Sequence, residues 1–241
     1  SNKNGDPMTF KSENSALALD IIIPTLNAAA SLGTTLLSLP RISGRIIVCD
    51  GGSHDETCAI ARKWGCEIVE GARGRGGQLA AGARTASAPF LLFLHADTQL
   101  SPAAIDQTGQ FIANSAQGKS AAYFRFQLDE QGPAAHRLEQ AVAWRCKTFC
   151  LPYGDQGLLI SRPFYESLGG YKDMPLMEDV DLIWRLTRLH GKKALVALEA
   201  PVVTSAIKFR REGYFFRSTR NLFCLFLFWL KIPVRLIVKL Y

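Results

Sequence analysis

The sequence predicts an α/β fold built on a mostly parallel sheet with helices flanking it. Three observations carry this reading. Short runs such as LDIIIPT, RIIVCD and PFLLFLHAD are apolar throughout, as expected of strands buried on both faces. Segments of helical length separate them, which is the alternation that builds a doubly wound sheet. Polar residues gather where the apolar runs stop, at the rim where open parallel sheets bind their ligands.

The elements follow in order. LDIIIPT from Leu19 reads as the first strand, and SLGTTLLSL as a helix capped by Ser31. RIIVCD (Arg45 to Asp50) is the second strand; DETCAIARKWG is a helix capped by Ser53 or Asp55 and stopped at Gly65. CEIVEG, GGQLAAGARTAS and PFLLFLHAD continue as strand, helix and strand. Beyond Asp97 the rhythm loosens: SPAAIDQTGQFIANS is a helix, SAAYFRFQL a strand, AHRLEQAVAWRCKTFC a helix and QGLLIS a short strand. PLMEDVDLIWRLTRLHG is an amphipathic helix starting near Met177, followed by a strand at KALVAL.

The chain of 241 residues is long enough for one sizeable domain, and 48% hydrophobic with 20% charged residues is a globular composition. Its organisation reads as a flexible leader over 1–18, one domain over 19–205 and an amphipathic extension over 206–241. The polar leader lacks the basic-then-apolar order of a signal peptide, and the six cysteines form no C-x-x-C pair. Both point to a reducing, cytoplasmic setting. In the extension, NLFCLFLFWLKIPVRLIVKLY is interrupted at Lys231 and Pro233, short of the ~20 apolar residues that a spanning helix needs. Lys231, Arg235 and Lys239 would line one face of a continuous helix suited to a membrane interface, the cytoplasmic membrane face being the natural site. Core packing or a dimer contact is the alternative, and the oligomeric state is not readable.

A net charge of +7 suits an anionic partner without choosing among nucleotide phosphates, acidic lipid and nucleic acid. The basic residues are dispersed and no recognition module is visible, which argues against nucleic acid. At the strand ends stand Thr25 and Asn27, then Asp50 with Gly51, Gly52, Ser53 and Asp55, then Arg73 and Arg75, then His95 and Asp97. CDGGSHDET has the composition of a tight turn and helix cap as well as of a ligand site. GARGRGGQ is glycine-rich but lacks the P-loop and dinucleotide spacings; Arg73, Arg75 or Gln78 could reach an anion or a base there, or form a solvated basic loop. His95 and Asp97, two apart on an extended segment, would share a face. The carboxylate suits a hard cation carrying a diphosphate and the imidazole suits Mn2+ better than Mg2+, while a helix cap and a supporting hydrogen bond are their structural roles. Glu178, Asp179 and Asp181 fall in the first turn of a helix, where the dipole favours acids, and where a carboxylate general base could also stand.

Four blocks in this order and spacing, DIIIPTLNAAASL, IIVCDGGSHDET, LLFLHADT and MEDVDLIWRL, resemble family 2 glycosyltransferases with the GT-A fold. The resemblance covers about Leu19 to Val203. GRGGQLAAGA, LHADT, YGDQG and the TSAIKFRREGYFFRSTRN tail are similar to a bacterial subgroup associated with arsenosugar biosynthesis. The resemblance implies inverting transfer from a nucleotide-diphosphate sugar to an acceptor hydroxyl; the acceptor, a lipid or a small molecule, is not readable from the sequence. It implies donor contacts at Pro24, Thr25, Asn27, Asp50, Gly51, Arg75, Gln78 and Ala96, and a divalent cation, Mg2+ or Mn2+, at Asp97 with His95. It also implies Asp179 as general base, with Glu178 second.

Two departures stand out. His95 occupies the first acid position of the family's D-x-D motif. Ile207 and Lys208 stand where the subgroup has two arginines, and Lys208 keeps a charge without the arginine fork. A noncatalytic nucleotide-sugar or membrane-lipid binding protein is the rival reading of the same residues.

Overall fold

A computed structural model of the protein describes residues 16–71, 74–115 and 118–240; Arg73 and the leader up to residue 15 lie outside the described residues. The first half alternates strand and helix as β1 (Leu19–Thr25), α1 (Ala29–Leu37), β2 (Ile46–Asp50), α2 (Thr57–Lys63), β3 (Glu67–Glu70), α3 (Arg75–Thr85) and β4 (Phe90–Phe93). The second continues as β5 (Thr98–Leu100), α4 (Pro102–Asn114), β6 (Ala121–Leu128), α5 (Pro133–Phe149), β7 (Leu158–Ser161), α6 (Arg162–Ser167), α7 (Glu178–His190) and β8 (Leu195–Thr204). Three helices follow: α8 (Ile207–Glu212), α9 (Tyr214–Trp229) and α10 (Val234–Ile237).

The eight strands form one sheet in the order β3-β2-β1-β4-β7-β6-β8-β5. The first four are parallel, as the unbroken apolar runs require. Beyond β4 the sheet is mixed: β7 is antiparallel to both β4 and β6, β8 is parallel to β6, and β5 is antiparallel to β8. Successive side chains of β1 enter different cores. Ile22 joins Cys49, Leu79 and Ala83 under α3, while Ile21 and Ile23 join Leu32, Leu36 and Val48 under α1. The one acid inside β1, Asp20, is fully buried and accepts backbone N–H bonds from Arg45, Ser87 and Ala88, at 2.6, 2.6 and 2.8 Å. It ties three chain segments together at the edge away from the ligand rim.

Three local expectations are corrected. Helix α1 starts at Ala29 and not at a Ser31 cap, because the donors at its start are met from another loop: Ala28 N–H donates to Thr57 Oγ1 and Ala29 N–H to Asp55 Oδ2. The segment holding His95 and Asp97 is not extended strand. The strand stops at Phe93 and the pair sits in a turn closed by the Thr98 N–H to His95 carbonyl bond at 3.2 Å. The C-terminal stretch is not one helix either. α9 ends at Trp229, Lys231 adopts a left-handed φ of 62°, and Pro233 opens the separate α10. Lys231, Arg235 and Lys239 therefore do not share one helical face, although all three are exposed.

Helix α3 lies close to the sheet because Gly82 lacks a side chain: a Cβ there would stand 2.5 Å from Cys49 Sγ and 2.6 Å from Ile22 Cγ2. Gly82→Ala is expected to destabilise the protein by about 1–3 kcal/mol despite its better helix propensity. Urea unfolding measures this, and an unchanged or higher midpoint would show that α3 has room to lift.

Candidate active site

The antiparallel join of β4 and β7 builds the site. Phe93, the last residue of β4, pairs with Leu158, the first of β7. The chain leaving β4 through His95 to Asp97 therefore meets the chain entering β7 through Tyr153 to Gly157. Gly157 makes the final turn with φ of 65°, and a Cβ on it would sit 3.5 Å from the Phe93 carbonyl. Gly154 permits the closest approach, since a Cβ there would fall 2.6 Å from His95 Nε2 and 3.6 Å from Asp179 Oδ2. Helix α7 brings Asp179 to the same point. Its Oδ2 accepts the Gly154 N–H at 2.7 Å and its Oδ1 accepts the Val180 N–H at 2.8 Å, so backbone fixes the carboxylate.

These groups open on a cleft of about 970 Å³. Asn27, Arg75, His95, Asp97 and Asp179, all anticipated from sequence, line it together. Asn27 takes a left-handed φ of 50°, which Asn tolerates, and its Oδ1 accepts the His54 N–H at 2.9 Å, tying the β1 exit to the loop after β2. Asp97 turns its carboxylate toward α8, where Lys208 Nζ donates to its Oδ2 at 2.9 Å. Its own carbonyl accepts the Ser205 N–H at 3.0 Å, and Ala96 contributes a carbonyl to Thr35 Oγ1 at 2.9 Å.

The remaining anticipated residues stand behind this wall. Gln78 is buried and donates both amide hydrogens to strand carbonyls, those of Thr25 and Cys49, each at 2.7 Å. Asp50 is buried and engaged on both oxygens: Thr25 and Ser53 hydroxyls donate to Oδ1, and the Gly52 and Ser53 N–H groups to Oδ2. Burial opposes its charge, yet these bonds outweigh burial and hold its carboxyl below the ordinary value. Gly51 sits against the Gln78 amide, and Pro24 lies within β1. This knot fixes the shape of the rim. Glu178 is also interior, 1% exposed, and ion-paired with Arg75; burial pushes its carboxyl up.

The cleft's electrostatics follow from crowding. Burial first, and then the positive Arg75, lower the His95 pKa to about 4, so its imidazole is neutral at physiological pH. Burial works against the charge of Asp97, but the charge and hydrogen bond of Lys208 help to offset it, and the carboxyl is held below its usual range. One carboxylate beside a neutral imidazole is a donor pair that fits a divalent cation. Among the described residues no three His, Cys, Asp or Glu side chains converge into a closed cation cage.

On the opposite wall the sequence pointed to the basic residues of the tail around Lys208 but not to those of α9. Lys208 and Arg211 of α8 and Arg217, Arg220 and Asn221 of α9 face the cleft, while Arg210 turns away to Glu130 at 3.4 Å. Glu212 holds Arg217 at 2.6 Å and Arg220 at 2.5 Å. The spacing of Arg217, Arg220 and Asn221 at i, i+3 and i+4 is the one signal that could have grouped them on one helical face.

Asp155, from YGDQG, is the acid that sequence reasoning passed over. It lines the cleft, its Oδ1 is buried without a hydrogen-bond partner, and burial pushes its pKa from 3.8 to about 6. The folded protein thus holds a proton that the unfolded chain gives up, and stability falls as pH rises from 3.8 through about 6. Asp155→Asn has no charge to bury and is expected to be more stable by roughly 1–3 kcal/mol near neutral pH, the gain vanishing at lower pH. Urea unfolding in metal-free buffer on either side of the window checks this; a pH-independent difference would refute it.

Comparison with known proteins identifies the fold and the family. Curated protein sequences give no match. Among solved structures, the glucosyl-3-phosphoglycerate synthase of Mycobacterium tuberculosis, in complex with Mn2+, UDP and glucosyl-3-phosphoglycerate, is similar at 17% identity and a TM-score of 0.59, covering 89% of this chain and 80% of that one. The same enzyme in complex with Mg2+ and UDP has a TM-score of 0.61 at 17% identity, with coverage of 89% and 80%. The mannosyl-3-phosphoglycerate synthase of Rubrobacter xylanophilus shares 15% identity with a TM-score of 0.58, covering 88% of this chain and 74% of that one. These likenesses establish the GT-A fold. The model of the family described as glycosyl transferase family 2 matches residues 20–145, more than half of the chain, and the protein belongs to that family.

Proposed function

We propose that the protein transfers a glycosyl group from a nucleotide-diphosphate sugar to an acceptor hydroxyl, with inversion at the anomeric carbon and Asp179 as general base. The observation that carries this reading is the fixed Asp179 carboxylate, aimed by two backbone N–H groups into the cleft that it shares with Asp97 and His95. In the step, the acceptor proton passes to Asp179 as the acceptor oxygen bonds to the anomeric carbon. The bond from that carbon to the diphosphate breaks on the opposite face, and its electron pair leaves with the diphosphate.

The leaving diphosphate gains charge beside Lys208 and Arg75, which line the cleft and counter it. Asp97, with His95 beside it, would hold a divalent cation, Mg2+ or Mn2+, which when bound supplies further neutralisation of that charge. The complexes of the mycobacterial synthase with UDP and either metal support a donor and cation of this kind. Asn27 and the rim held by Thr25, Asp50, Gly51 and Gln78 form the nucleoside end. Within the family, the GRGGQLAAGA, LHADT and YGDQG blocks lead us to read the chain as a member of the arsenosugar-associated subgroup. Six free thiols accord with work in the cytoplasm.

Asp179→Asn keeps the size of the side chain and one of its two bonds from backbone N–H, and it removes the proton acceptor. Donor binding by calorimetry is expected to survive while transfer falls by about 10²–10⁴-fold. Transfer at the wild-type rate would sink the base assignment. Asp97→Ala is expected to abolish both donor hydrolysis and transfer, and retained metal-dependent nucleotide binding in that variant would remove Asp97 from the cation site.

A further inference from the structure

Helix α9 is built inside out. Its inward face carries charge, with Arg217, Arg220 and Asn221 in the cleft wall. Its outward stripe is aromatic and aliphatic. Phe215, Leu222, Phe226 and Trp229 recur at helical spacing and are 82%, 62%, 52% and 65% exposed, with Phe223 beside them. The helix is not loosely placed. Cys224 is fully buried, Phe228 stacks on Trp184 at 5.3 Å, and Ile237 of α10 is buried in the main core. The face points to solvent while the helix is anchored, and a contiguous apolar surface of this size marks a partner.

Charge identifies the partner. From Gly213 to Tyr241 the sequence has no Asp or Glu, while Lys231, Arg235 and Lys239 stand exposed next to the apolar stripe. A symmetric dimer through this face would set like charges against each other with no acid to answer them. An anionic lipid surface accepts both the aromatic stripe and the cations. No described helix is long and apolar enough to cross a membrane, so the fit is to the interface. We propose that the outward face of α9, with the turn and short helix that follow, docks the protein on an anionic bilayer. Docking would bring the cleft to about one helix diameter, ~10 Å, from the lipid, within reach of an acceptor held in the bilayer. That last consequence rests on the glycosyl-transfer reading; the docking does not.

Vesicle co-sedimentation of the full chain tests it. The protein is expected to bind vesicles of phosphatidylcholine with phosphatidylglycerol at least about tenfold more tightly than phosphatidylcholine alone, and to release them as salt rises. Phe223→Asp with Phe226→Asp should abolish binding. Lys231→Gln with Arg235→Gln and Lys239→Gln should weaken it by about fivefold per charge. Nucleotide binding should be unchanged in both, which shows that the variants are folded and keeps this test separate from the catalytic one. Equal binding to both vesicle types, undiminished binding of the Asp variant, or a dimer by sedimentation velocity that the Asp variant dissociates without any vesicle binding would each overturn the proposal.

Discussion

The site depends on one constraint, the antiparallel pairing of β7 with β4. In a sheet that stayed parallel, the chain entering the next strand would arrive at the far edge, away from the ligand rim. Because β7 runs the other way, its entry loop lies beside the exit of β4, with Leu158 opposite Phe93. That brings Gly154 against His95 and lets a backbone N–H orient Asp179. The direction reversal thus turns two unrelated loops into the two sides of one cleft, at the topological position where open α/β sheets bind ligands.

Around that centre the polar groups divide into two populations. One is fully satisfied and shapes the rim: Asp50 with four donors, and Gln78 bridging the Thr25 and Cys49 carbonyls. Their bonds hold the ends of β1 and β2 in fixed register, so the loops after them cannot splay. The other population is under-satisfied. His95 is kept neutral, Asp155 has a buried oxygen without a partner, and Asp97 leans on a lysine reached from α8. Perturbed and unpaired groups gathered in a cleft cost stability, and they persist where a ligand supplies the missing partner.

The sequence showed the parallel half clearly because a strand buried on both faces leaves no polar residue to mislead; Ile21, Ile22 and Ile23 are all core. It showed Asn27, Arg75, His95, Asp97 and Asp179 as rim residues because strand ends and a helix start are local features. Other features are long-range and left no local trace. The α1 start is satisfied from residues 26 and 29 positions away, which no capping rule detects. The turn after Leu94 begins just past the end of the pairing with β7 and reads locally as more strand. Arg217 and Arg220 sit in a segment whose apolar density dominates its pattern, and their approach to the cleft depends on how α9 docks.

The helix pattern named Glu178 and Asp179 only as a pair of acids, and it was the family resemblance that put Asp179 first. Both belong to the first turn of α7 and both are favoured there by the helix dipole. One residue along a helix is a rotation of about 100°, which sends the two side chains to different surroundings. Glu178 turns beneath the cleft, loses its water and is held by Arg75, so a proton accepted there would break an ion pair in the interior. Asp179 turns to the cleft, where two N–H groups fix its oxygens and an entering hydroxyl can approach. The pairing of Glu178 also restrains Arg75 at the cleft wall, beside the place where a diphosphate would gain charge. On the proposed mechanism the buried acid would act through the arginine it positions, leaving the cleft-facing carboxylate of its neighbour to take the proton.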